Sequence, residues 1–187
     1  MTQQWQTDLE SWVAGWDAVR DDAPQQEVLV WSGEVPSGEN HVVVCAPDEA
    51  DTVRSAVQTA GREVAATEVL LMGDVQELDR GLGFPGEAGL FDAPMGDYSR
   101  FEVDEWGHPV AHSTLSVQDE VAFMGPLVAD PSKERDSSEV LDPLVSAMAN
   151  EAFLADAQRL YTVVPEDQVG QRESQGWQRV AAVLRLA

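Results

Sequence analysis

Residues 98–128 limit the possible folds more than any other stretch. Residues 98–104 and 110–117 alternate apolar and polar side chains, and residues 121–128 form a third, mainly apolar run. Trp106-Gly107-His108 and Gln118-Asp119-Glu120 interrupt these runs with turn-forming residues. Alternation with period two puts the apolar residues on one sheet face, and breaks this short join antiparallel neighbours. The expectation is a three-stranded antiparallel meander. Beyond it, Val140, Leu141, Leu144, Val145, Met148, Ala152 and Phe153 recur at helical spacing and predict a helix over 138–155. Ser137 or Ser138 can cap it. Pro143 offers another start, at Asp142, with proline in the first helical position. Residues 160–164 read as a short buried strand, 167–175 as a helix stopped by Gly176, and 177–186 as a last strand.

The first half shows shorter signals. Trp5, Leu9, Trp12, Val13 and Trp16 make one apolar helical stripe, which Thr7 or Asp8 can cap. Residues 28–31 are a short strand candidate. Residues 41–45 form a strand by β-branched content, Pro47-Asp48 opens a helix running to about residue 60, and 64–72 is apolar enough for a second strand. Residues 73–96 hold Gly73, Gly81, Gly83, Pro85, Gly86, Gly89, Pro94 and Gly96, which reads as a packed linker. The fold expected is α/β (α+β): a mixed, mainly antiparallel sheet flanked by helices, with a smaller strand–helix–strand lobe. Residues 1–95 are the N-terminal half-lobe and linker, and 96–187 the core. The lobe is expected to pack on the core through Trp5, Trp12 and Trp16, since large aromatics anchor such contacts.

Charge narrows the partners. The chain of 187 residues has 34 acids against 11 bases, a formal charge of −23, and Lys133 is its only lysine. That field repels phosphate backbones and anionic membranes, so neither nucleic acid nor a membrane is an expected partner. It attracts amines, and it also serves plain solubility. Cys45 is the single cysteine, so no intrachain disulfide forms, and a cytoplasmic location is expected. The polar start, without a basic then apolar stretch, and the absence of any run of 18 apolar residues fit that expectation. Cys45 and the three histidines show no metal-ligand spacing, so no metal is expected. Gly81-Leu82-Gly83 leads into no helical pattern and is no nucleotide fingerprint.

The order of meander, long helix, strand, short helix and strand resembles the GNAT superfamily of acyl-CoA-dependent N-acyltransferases over about 97–187. Val128-Ala129-Asp130-Pro131 resembles the end of that family's fourth strand, and Gln175-Gly176-Trp177 its corner before the last strand. The polar stretch 133–138 sits where the family has its pyrophosphate loop. Trp12, Gly15, Trp16 and Arg20 are similar to an N-terminal extension of actinobacterial members. The resemblance implies transfer of an acyl group from acetyl-CoA, or another acyl-CoA, to a small-molecule or peptide amine. It places pantetheine along the strand at Leu127 and Val128, and pyrophosphate at Lys133, Arg135, Ser137, Ser138 and Val140. A helix start offers unpaired N–H groups and partial positive charge to such an anion. Aligned on Arg135, the family's R/Q-x-x-G-x-G/A pattern has Ser138 and Val140 at its glycine positions, and no glycine lies between Gly125 and Gly170. The loop is thus either a weakened phosphate site or an ordinary capped helix with two surface bases, and acetyl-CoA binds weakly at best.

Where family members often carry an acid tyrosine, this chain has Arg172, which can stabilise a thiolate or simply be solvated. The general base implied on the meander is His112, Glu102, Asp119 or Glu120. His112 shares its strand face with Val110, Thr114 and Ser116, and histidine has a suitable pKa, although a structural role in the sheet fits equally. A competing reading follows from the same losses: a catalytically degenerate module with a binding or regulatory role.

Overall fold

A computed structural model describes residues 3–20, 26–38, 40–132 and 136–187. Along the chain they form α1 (Gln4–Thr7), α2 (Leu9–Ala18), β1 (Glu27–Val30), β2 (His41–Cys45), a 3-10 turn (Pro47–Glu49), α3 (Ala50–Thr59), β3 (Val64–Asp74), α4 (Val75–Leu78), β4 (Ala88–Pro94), β5 (Ser99–Glu105), β6 (His108–Gln118), β7 (Val121–Met124), β8 (Val128–Ala129), α5 (Ser138–Leu154), β9 (Arg159–Pro165), α6 (Glu166–Ser174) and β10 (Gln178–Leu186). The expected mixed, mainly antiparallel sheet flanked by helices is the observed one. No helix among the described residues is long and apolar enough to cross a membrane.

The chain forms two compact units, Met1–Asp21 with Gly73–Thr162, and Asp22–Met72 with Val163–Ala187. They cross the sequence boundary at residue 95, since each combines an early segment with a late one. In the second unit the order is β1-β2-β10-β3. The strand–helix–strand read at 41–72 is present, but β10 lies between its two strands, antiparallel to both. Val43, Cys45, Val53, Val57, Ala182 and Leu184 pack together there, so α3 and the final strand share one core.

In the first unit the order is β9-β7-β6-β5-β4, with β8 also on β6. The meander has a fourth strand, because β4 pairs with β5 through seven residues inside the stretch read as linker. Gly and Pro at 85, 86, 94 and 96 bracket that strand, and their density hid it. The run at 121–128 is also two strands, separated at Gly125. A Cβ at Gly125 would sit 2.2 Å from the Thr114 Oγ1, so the crossing to β8 depends on its missing side chain.

The tryptophan stripe covers this meander. Trp5 and Trp12 are buried, and Trp16 lies 6.0 Å from the Trp12 ring and 6.2 Å from Phe123 on β7. Gly15 permits this approach, since a Cβ there would come within 2.7 Å of the Phe123 Cβ. Arg20 places its guanidinium 4.1 Å above the Trp16 ring. On β6 both alternating sets contain buried residues, Val110 and Ser116 on one face, Ala111, Ser113 and Leu115 on the other. Both faces are therefore covered, and α2 and α5 each pack against β6.

Asp8, read as a possible cap, occupies the cap position of α2 without capping it through its side chain. Its carboxylate instead accepts from Arg159 Nε at 2.6 Å, Arg159 Nη2 at 3.2 Å and the Tyr161 hydroxyl at 2.8 Å. Asp8 is 7% exposed and Tyr161 fully buried. Burial, and then the Asp8 carboxylate, push the Tyr161 hydroxyl well above the ordinary phenol range. Burial alone would lower the Arg159 guanidinium, but its bonds to Asp8 and that charge carry it upward.

Asp8→Ala removes one partner of a largely buried charged cluster and should cost about 3 kcal/mol, whereas Tyr161→Phe should cost about 1 kcal/mol. Urea denaturation measures both. Equal losses for the two variants would show that the ion pair adds nothing to the tyrosine bond.

Candidate functional site

The start of α5 is the first place to examine for an anion. Lys133 and Arg135 lie outside the described residues. Ser137 stands at the cap position, exposed and without a side-chain capping bond. Asp136 does that work: its Oδ1 accepts the Ser138 N–H at 3.0 Å. Backbone and side-chain hydrogen bonds from Ser138 hold the Asp136 carboxyl below its ordinary range. A negative group already occupies the helix's positive end, which is its favoured position. Sequence reasoning considered only the two serines here, although aspartate is an equally good cap and stood next to them.

Val140, expected to face a phosphate, is 2% exposed and belongs to the core. The helix begins at Ser138, so Pro143 is interior to it and not its first residue. The branched side chain therefore does not block the helix start. The carboxylate of Asp136 is the group that does.

The second place is the backbone after β7. Parallel β9 accompanies β7 only as far as Phe123↔Tyr161. On its other side the chain stays with β6: Gly125 N–H donates to Thr114 O at 2.8 Å, Asp130 N–H donates to Val110 O at 2.9 Å, and β8 pairs with His112 and Ala111. Past the last β7–β9 pair the edge is thus held by β6 from one side, and it is interrupted at 125–127, which form no strand and include Pro126, without an N–H to donate. Leu127 is half-buried and Val128 is 43% exposed. Such an edge can take an amide-bearing chain through backbone bonds.

The third place is a polar row on the meander. His112 is directly opposite Glu102 on β5 and Val128 on β8, so all three share one face. Arg100, one pair further along, contacts Glu102 at 3.3 Å. Burial and then Arg100 lower the His112 pKa from its ordinary 6.5, with Glu102 opposing them. The imidazole is therefore neutral near pH 7 and able to accept a proton.

The remaining candidates are elsewhere. Glu120 lies in the turn after β6, six strand residues past the level of His112, or about 20 Å at the usual rise. Its backbone oxygen accepts from Gln158 N–H at 2.9 Å. Asp119 occupies the same turn with φ +53°. Arg172, in the second unit, is not a solvated surface residue: it is 6% exposed, and its Nη1 donates to Gln175 Oε1 at 3.1 Å.

No protein-family model matches the chain, and no curated protein matches it. Solved structures do match in fold. A GCN5-related N-acetyltransferase from Kribbella flavida aligns over 78% of this chain and 67% of its own, with TM-score 0.59 and 15% identity. A functionally unknown conserved protein from Staphylococcus epidermidis aligns over 79% and 72%, with TM-score 0.55 and 9% identity. A tandem GNAT protein from the clavulanic acid biosynthesis pathway aligns over 79% and 64%, with TM-score 0.55 and 9% identity. The chain thus spans roughly two thirds of the length of these proteins. It has the GNAT fold.

The lowered His112 pKa has a sign that can be tested. The unfolded chain takes up the histidine proton at higher pH than the folded chain. Stability should therefore rise as pH increases from the depressed folded value to about 6.5 and be flat in this respect above it. His112→Gln should remove that rise in thermal-melting profiles between about pH 5 and pH 7. An unchanged profile would place His112 in an ordinary solvated setting.

Proposed function

We propose that this chain, having the GNAT fold, transfers an acyl group from acetyl-CoA or another acyl-CoA to an amine, with weak hold on the coenzyme. The observation that carries the reading is the one-sided edge where β7 ends at Met124, beyond the last β7–β9 pair, and the chain crosses to β8 at Val128. Pantetheine is an extended chain with amide groups, and Leu127 and Val128 lie on that edge. The acyl-CoA supplies the activated acyl group: the nitrogen–carbon bond forms as the thioester carbon–sulfur bond breaks, and coenzyme A leaves as a thiolate that takes a proton from solvent. The acceptor nitrogen must lose a proton as it becomes an amide, and neutral His112 is the residue on the adjoining face suited to accept it. Glu102, directly opposite, can orient the imidazole or hold the incoming ammonium. The net charge of −23 favours a cationic acceptor and opposes an anionic coenzyme.

The start of α5 fits the pyrophosphate poorly. Asp136 already accepts the N–H that an anion would use, and like charge keeps a phosphate away. That observation supports a second reading, a module that has lost catalysis and serves as a binding or regulatory protein. Lys133 and Arg135 are the remaining local cations.

Titration calorimetry with acetyl-CoA separates the two. Under the first reading the native protein binds weakly, and less so as salt rises, because exposed charges are screened. Asp136→Asn should then tighten binding about fivefold, and Lys133→Ala with Arg135→Ala should abolish it. Absence of binding by the native protein and Asp136→Asn alike supports the module. Tight, salt-insensitive binding would contradict both accounts of the helix start.

A further inference from the structure

We propose that the free edge of β4 is a docking strand for an extended, basic segment of a partner protein. β4 pairs with β5 from Ala88↔Glu105 to Pro94↔Ser99 without a bulge, and no strand lies on its other side among the described residues. Met95 N–H donates to Tyr98 O at 2.8 Å where the hairpin closes. Antiparallel ladders alternate, so the N–H groups of Ala93, Phe91 and Gly89 face β5. Those of Asp92 and Leu90 point outward, and Pro94, the next outward position, has none to offer.

Edges of this length are normally guarded by lysine, a bulge or an inward charge. This one has Pro94 at its end and the charge of Asp92, but no lysine and no bulge. Phe91, in mid-strand, is 62% exposed, and Ala93 beside it on the same face is exposed too. An edge without bulge or lysine, with an exposed aromatic at its centre, is a template for strand addition by a segment that answers the Asp92 charge.

Charge selects the occupant. Residues 85–105 carry Glu87, Asp92, Asp97, Glu102, Asp104 and Glu105 against Arg100 alone, and Arg100 is paired with Glu102. A second copy is a poor partner, since it brings another −23 and would run acidic strand against acidic strand. A segment alternating basic and apolar residues suits both faces. Its basic side chains meet Asp92 on one, and its apolar side chains meet Phe91 on the other.

The probe is a labelled nine-residue peptide of alternating lysine and valine, measured by fluorescence anisotropy on the full chain. Three comparison peptides are used: one of alternating lysine and glycine with equal charge, one N-methylated at every lysine, and one N-methylated at every valine. The lysine–valine peptide should bind about tenfold more tightly than the lysine–glycine one. Only one of the two N-methylated forms should lose binding, because a docked strand turns one set of N–H groups to β4 and the other to solvent. Asp92→Pro should weaken binding about tenfold beyond Asp92→Ala, which removes the charge but keeps the outward N–H. If Asp92→Pro does not fold, the N-methyl series on the native protein decides. Equal binding by all four peptides would reduce the effect to charge and overturn the proposal. A native dimer that Asp92→Pro dissociates in sedimentation would also overturn it, giving the edge to a second copy.

Discussion

The cluster of Asp8, Arg159 and Tyr161 holds the first unit together at its most distant points in sequence. A carboxylate 7% exposed is costly to bury alone. It is tolerated because a guanidinium and a phenol converge on it from β9. Asp8 stands at the break between the first two helices, and its backbone oxygen accepts the N–H of Trp12 at 3.0 Å, at the start of the helix that carries Trp12 and Trp16. Those tryptophans then cover the meander at Phe123, where β7 is still paired with β9. The end of that pairing defines the edge proposed for pantetheine.

Electrostatics gives the two sides of the proposed reaction opposite treatment. The acidic surface concentrates amines and disperses anions. At α5 the same bias takes a local form, a carboxylate seated on the helix dipole. The N–H of Ser138 is thereby already bonded within the chain. Binding at β4 draws on the same field from another direction, since an edge strand in acidic surroundings excludes its own copies and admits bases. Under the two proposals surface charge, usually a matter of solubility, would sort partners at two separate places.

How much was legible follows from the range of each signal. Strands at 41–45 and 177–186, and helices near 50–60 and 138–155, were readable because periodicity and end signals are local. β4 was missed because a short strand bracketed by glycine and proline looks like a loop until β5 is beside it. The break at Gly125 was missed for a related reason: it comes from contact with Thr114. Among the candidate residues, His112 and Glu102 could each be named, but their pairing across β5 and β6 could not. Glu120 was placed beside His112 in role, although turn and strand level separate them. Val140 was misassigned because alignment to a motif cannot say which side of a helix meets the core.

The sequence by itself determined most of the elements, the apolar stripes and the net charge, since each depends on residues a few positions apart or on composition alone. Tertiary structure decided what lies next to what. It put β10 between β2 and β3, drew the compact units across residue 95, and aimed Asp8 at β9 instead of its own helix. It also turned Asp136 onto the helix start and left one edge of β4 open. The physical reason is the same in each case. A hydrogen bond or a packed face needs a partner, and when the partner is tens of residues away, only the folded chain can show which one is within reach.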